Sequence, residues 1–208
     1  MYIPHQFQMK NIEEVKQFIQ THSFATVIAT KNNRPIAVHV PVALRQLDGH
    51  DVLTGHVAYG NPIWRAIERN EEVLVIFQGA HAYVSSSWYQ DENVPTWNYE
   101  AVHVYGKGRS LTPEETLIEM KHQLTVYEQQ QKNPVTWESL SDELLTTELK
   151  GIQAFAITMD SIQAASKMSQ NRNDTDYQSI IHHLQEKEDP MTQQVAEVMK
   201  TLKNKGEK

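Results

Sequence analysis

A chain of 208 residues, 39% hydrophobic and 22% charged, can bury one sizeable core and is too short for two full domains. It has no cysteine, which excludes disulfides, thiolate-held metal clusters and thiol nucleophiles and fits a reducing compartment. A formal charge of -7 repels phosphates, and the basic residues Lys200, Lys203, Lys205 and Lys208 read as a solvated tail, so no nucleic-acid-binding stripe is present. No basic-then-apolar leader opens the sequence and no apolar run reaches about 20 residues, which predicts a cytoplasmic protein without membrane spans.

Asn11-Ile12-Glu13-Glu14 has the form of a capping box, and the apolar spacing of Ile12, Val15, Phe18 and Ile19 predicts a helix to Thr21. A meander follows: strands Phe24 to Thr30, Pro35 to Leu44 and Val52 to His56, with turns at Asn32-Asn33 and Asp48-Gly49. Asn61-Pro62 opens a short helix through Ile63, Ala66 and Ile67. Further strands are predicted at Val73 to Phe77, Ala82 to Val84 and Ala101 to Lys107. Thr112-Pro113-Glu114-Glu115 combines a capping box with proline at the first helical position and starts a helix to about Gln131, before Asn133-Pro134 stops it. From Thr112 to Lys150 the chain carries eight acids against three bases. A strand at Ile152 to Asp160, its continuation at Ser161 to Lys167, and helices Asp176 to Lys187 and Met191 to Lys203 complete the reading. There is no internal repeat.

Many short antiparallel strands with one helical insertion define an α+β, mainly β fold: a small closed barrel with helices outside, because closure removes exposed strand edges. The expected organisation is a barrel domain over 1–175 with a helical insertion around 112–150, then a helical extension over 176–208. Gly106-Lys107-Gly108 is only a fragment of a dinucleotide-binding fingerprint.

Two segments could carry chemistry. Between Tyr83 and Tyr99 lie two tryptophans and three tyrosines among serine, threonine and asparagine side chains. Rings that stack and amides that address an edge suit a planar heteroaromatic ligand, though the same residues also plug barrel mouths and subunit contacts. Lys167-Met168-Ser169-Gln170-Asn171-Arg172 is either a holder of a phosphate or carbonyl-rich ring edge or a solvated loop capping the next helix. His39, His56 and His103 fall on strands without diagnostic ligand spacing and read as hydrogen-bonded histidines rather than a metal set, and adjacent His182 and His183 diverge on a helix. Glu13-Glu14, Glu71-Glu72 and Glu114-Glu115 complement helix dipoles or sit at turns. No Gly-x-Ser-x-Gly or His-Glu-x-x-His motif is present, so no catalytic residue is assigned.

Several strings resemble the FMN-binding negative transcriptional regulators of the PaiB type: Met1-Tyr2-Ile3-Pro4, Gly55-His56-Val57-Ala58 with Asn61-Pro62-Ile63-Trp64, Ser87-Trp88-Tyr89, Val94-Pro95-Thr96-Trp97-Asn98-Tyr99, and the Lys167 to Arg172 block. They occur in that family's order up to about residue 185. The resemblance implies an FMN-binding split barrel, a six-stranded antiparallel, Greek-key-like barrel with peripheral helices. It also implies a homodimer with FMN or a similar planar ligand at the subunit boundary. On this basis His56 and Asn61 lie near the flavin, and Trp88, Thr96, Trp97, Asn98, Lys167, Ser169, Gln170 and Arg172 line the same cleft.

The chain departs from the related flavin oxidases where basic residues grip the phosphate: its stretches read Val38-His39-Val40-Pro41 and Asn61-Pro62-Ile63-Trp64. A phosphate dianion needs charge-assisted donors, which leaves Arg65, Lys167 or Arg172 as alternative anchors. Ser86 stands where the family has proline. The implied role is negative regulation of protease production and sporulation genes. DNA is the partner implied by that role, but the charge of this chain does not support direct contact. The alternative is a small FMN- or haem-dependent oxidoreductase.

Overall fold

The computed structural model describes residues 1–69 and 72–206; Glu71 of one acid pair, Lys208 and the Lys205 side chain lie outside the described set. Seven strands form, β1 (Phe24–Lys31), β2 (Arg34–Leu47), β3 (His50–Ala58), β4 (Glu72–Val84), β5 (Thr96–Ser110), β6 (Ile152–Thr158) and β7 (Ser161–Lys167), with helices α1 (Ile12–Thr21), α2 (Ile63–Glu68), α3 (Pro113–Glu128), α4 (Asp142–Lys150), α5 (Asp174–Gln185) and α6 (Pro190–Gly206). The strand order β4-β1-β2-β3-β6-β5, with β4 also paired to β5, closes a ring of six, and β7 flanks β5. This is the α+β barrel that the strand pattern predicts and the split barrel that the family resemblance implies, with a seventh strand outside the ring.

The first meander forms because its turn residues tolerate left-handed backbone. Asn32 and Asn33 have φ of 52° and 58° and close β1 onto β2, pairing Lys31 with Arg34. Asp48 and Gly49, φ 51° and 78°, close β2 onto β3, pairing Leu47 with His50. Alternation on β1 buries Ala25, Val27 and Ala29. At α3 the predicted capping box is complete: the Glu115 N–H donates to Thr112 Oγ1 over 3.2 Å, and the Thr112 N–H donates to the Glu115 carboxylate over 2.9 Å.

The chain divides into two compact units, the first 1–18, 78–102 and 163–208, the second 19–77 and 103–162. The expected boundary near residue 175 falls inside the first. In the second unit Phe77, Leu53, Ile63, Ile67, Phe155 and Ile157 are fully buried. In the first, Ala80, Ala82 and Val84 of β4 pack with Ile180, Ile181 and Leu184 of α5 and with Val195 and Met199 of α6.

Two differences from the sequence reading have physical causes, and two glycines serve close packing. The strands expected at 73–77 and 82–84 are one strand, and Gly79 within it admits Phe18, whose ring a Cβ would meet at 2.7 Å. Gly106 and Gly108 do not serve a phosphate loop; a Cβ at Gly106 would lie 1.8 Å from the Thr158 carbonyl oxygen and one at Gly108 2.1 Å from Ile67. Helix α4 lies within the helical insertion expected around 112–150, but the sequence marks no bounds for it, since it buries none of its residues and so shows little apolar periodicity.

Candidate functional site

In the first unit the Lys167 to Arg172 block is folded onto β5 by its own polar groups. Asn98 is fully buried; its Oδ1 accepts from Ser169 Oγ over 2.9 Å and its Nδ2 donates to Met199 Sδ over 3.5 Å. Ser169 takes a left-handed φ of 61°, which turns the chain back so that Gln170 Oε1 accepts from the Met168 N–H over 2.7 Å and Gln170 Nε2 donates to the Ser166 carbonyl over 2.6 Å. Lys167 Nζ donates to Thr96 Oγ1 and, over 2.9 Å, to the Trp97 carbonyl. Burial and then the neighbouring Arg172 hold its pKa below the usual lysine value. The Arg172 guanidinium stacks 4.4 Å from the centre of the buried Tyr89 ring. Thr96, Asn98, Lys167, Ser169 and Gln170 are therefore brought together, with their amide and hydroxyl groups bonded to one another and to backbone.

Trp88 and Trp97 instead line a separate cleft of about 770 Å³ with His81, Tyr83 and the segment Lys187 to Thr192. Trp97 is 53% exposed, and its ring centre lies 5.9 Å from His81 and 6.1 Å from Tyr83. Trp88 stacks on His183 at 5.1 Å, and Lys187 Nζ lies 5.9 Å over the same ring. The segment Lys187 to Thr192 was missed as part of a site. Its only signal was the Asp189-Pro190 helix start, and Asp189 does cap α6 by accepting from the Thr192 N–H over 2.8 Å.

His56 and Asn61 belong to the second unit. Half-buried His56 has Nδ1 without a partner among the described residues, and burial holds its pKa below the ordinary value against a hydrogen bond that the ring donates to Gln123 and the charge of Glu119. Asn61 Oδ1 accepts from the Ile63 N–H over 3.0 Å at the start of α2. Beside it Trp64 Nε1 donates to the Tyr59 carbonyl over 2.8 Å, the two rings lie 5.5 Å apart, and the Arg65 guanidinium sits 4.1 Å from the Trp64 ring and 5.7 Å from that of Tyr59. Of the other strand histidines, His39 shares a 2.9 Å hydrogen bond with Thr26 Oγ1. His103 is pushed down by burial, with Nδ1 unpartnered among the described residues. Among the described residues no group of three His, Asp or Glu side chains is arranged to hold a metal, and no helix is long and apolar enough to cross a membrane.

A split barrel with exposed ring and guanidinium groups after its third strand belongs to the barrel folds that can offer a planar, anionic ligand both a stacking face and a charge-assisted donor. The family described as "Putative FMN-binding domain" matches residues 1–161, and the chain belongs to it. The protease synthase and sporulation protein PAI 2 of Bacillus subtilis is 53% identical over 96% of both chains. An uncharacterised yeast protein, YKL070W, is 28% identical over 64% of this chain and 92% of its own. Among solved structures, the flavocytochrome Anf3 of Azotobacter vinelandii superposes with a TM-score of 0.64 at 14% identity, covering 84% of this chain and 76% of its own. An FAD- and haem-binding protein of Mycobacterium smegmatis gives 0.59 at 16%, covering 83% and 79%. At those identities the likeness is one of fold.

The donor set beside Asn61 fits FMN in kind. Tyr59 and Trp64 offer ring faces to a planar system, Arg65 offers a guanidinium that can meet a phosphate in bidentate fashion, and the Asn61 amide nitrogen is left to donate. The cleft of the first unit fits the phosphate poorly, because its single lysine is outnumbered by Glu188 and Asp189.

Proposed function

We propose that this chain is a PaiB-type regulator that lowers protease production and sporulation gene expression, with FMN as its ligand at the Tyr59 to Arg65 segment. The observation that carries the regulatory reading is the 53% identity to PAI 2 along 96% of both chains. The flavin reading rests on the family match over 1–161, which contains Tyr59, Asn61, Trp64 and Arg65. Bound FMN would supply an electron acceptor. The protein's share is to stack the ring, neutralise the phosphate through Arg65 and hold the segment in place through the Asn61 to Ile63 hydrogen bond. A homodimeric state belongs to the same proposal. With a net charge of -7 and no phosphate-binding stripe in its sequence, its effect on transcription is indirect.

Three measurements test this. Deleting and over-producing the protein in a spore-forming host should raise and lower secreted protease activity; no change in either direction sinks the regulatory reading. Titration with FMN, followed by flavin fluorescence, should saturate, and Arg65→Ala should weaken it by about tenfold or more through loss of charge-assisted hydrogen bonds. Absence of saturable binding sinks the flavin reading, while light scattering at monomer mass sinks the dimer.

A further inference from the structure

The cleft in the first unit has a chemistry opposite to that of a phosphate site. Its walls present the rings of Tyr83, Trp88 and Trp97, and its charged lining is two carboxylates, Glu188 and Asp189, against one ammonium, Lys187. Trp97 and Tyr83 are about half exposed, at 53% and 49%, so their faces are available to a ligand. An ammonium already sits in this setting, since Lys187 Nζ lies 5.9 Å over the Trp88 ring, which also stacks on His183. The volume of about 770 Å³ is that of a small-molecule site. Its Lys187 to Thr192 wall lies beyond residue 161, where the FMN-binding family match ends.

We propose that this cleft, built from Tyr83, Trp88 and Trp97 with Glu188 and Asp189, binds an alkylammonium cation, and that it is distinct from the flavin segment at Tyr59 to Arg65. Aromatic faces attract a cation through their quadrupole, and more strongly as the charge loses water. Carboxylates at the rim add a Coulombic term and draw cations toward a chain of net negative charge. Asp189 is held in place by its bonds to the Thr192 N–H and hydroxyl, over 2.8 and 2.6 Å, so its charge stands at the cleft without reorganisation.

The test uses the full chain with choline as the probe and, as control, its uncharged isostere in which a quaternary carbon replaces the nitrogen. Binding is followed by the NMR shifts of the tryptophan side-chain N–H groups, which report Trp88 and Trp97 separately. Choline should bind saturably and the isostere much more weakly. Trp97→Ala and Glu188→Gln, both at exposed side chains, should each weaken choline about three- to thirtyfold, with the thermal midpoint unchanged. Equal binding of the isostere, unchanged choline affinity in both variants, or no saturation overturns the proposal. FMN titration of the same variants separates it from the flavin reading: FMN affinity should not move, and its loss in Trp97→Ala would give the cleft to the flavin and overturn the proposal.

Discussion

Replacing Asn98 by alanine should destabilise the protein by about 2–4 kcal/mol. The side chain is fully buried and makes two side-chain hydrogen bonds, accepting from Ser169 Oγ over 2.9 Å and donating to Met199 Sδ over 3.5 Å. Removing the amide leaves the buried Ser169 hydroxyl without an acceptor, a loss of about 1–3 kcal/mol. The cavity left by the missing atoms adds about 1 kcal/mol. For a chain of this length each kcal/mol moves the thermal midpoint by about 2–4 °C, so a fall on the order of 5–15 °C is expected. Differential scanning calorimetry reads the midpoint, and a cycle with Ser169→Ala isolates the pair, whose coupling should be about 1 kcal/mol. A midpoint within 1–2 °C of the parent, or additive single and double variants, would refute the view that this amide ties the Lys167 to Arg172 block to β5.

Two pH effects follow from charged groups. Arg109 pairs with Glu115 over 2.6 Å and holds its carboxyl down to about 2. A depressed carboxylate adds stability above its unfolded pKa and loses it as pH falls toward the folded one, so the deficit of Glu115→Gln in urea midpoint should be present at neutral pH and vanish near pH 2. His56 and His103 are pushed below 6.5 by burial. The unfolded chain therefore takes up protons first, and stability should decline as pH drops below 6.5. His56→Gln should flatten that decline in urea titrations, and an unchanged slope would count against a neutral imidazole held in this half-buried position.

The parts of the fold that could be read early are those whose signal is local. Asn32-Asn33 and Asp48-Gly49 announce their turns because few residues accept positive φ, and Thr112 with Glu115 announces α3 because two side chains satisfy two backbone donors. What escaped was set by distant contact. Gly79 reads as a break in isolation, yet it continues a strand because Phe18 comes close to it. The site divides the same way. Aromatic density drew notice to Trp88 and Trp97, but their carboxylate neighbours lie about ninety residues downstream and have no local pattern beyond a helix cap. Gln170 and Ser169 looked like ligand-facing amide and hydroxyl groups, since composition does not reveal that both bond inward.

Strands β4 and β5 each begin in one unit and end in the other, the first crossing after Phe77 and the second after Val102. Neither unit is therefore a contiguous stretch of sequence, and no single cut releases one intact. Truncation after residue 162 removes most of β7 and all of α5 and α6, and with them the acidic wall of the cleft and the packing beneath its aromatic half. A phenotype from such a deletion would report a broken fold rather than a missing module. Genetic dissection of this chain must proceed by side-chain replacement, one unit at a time.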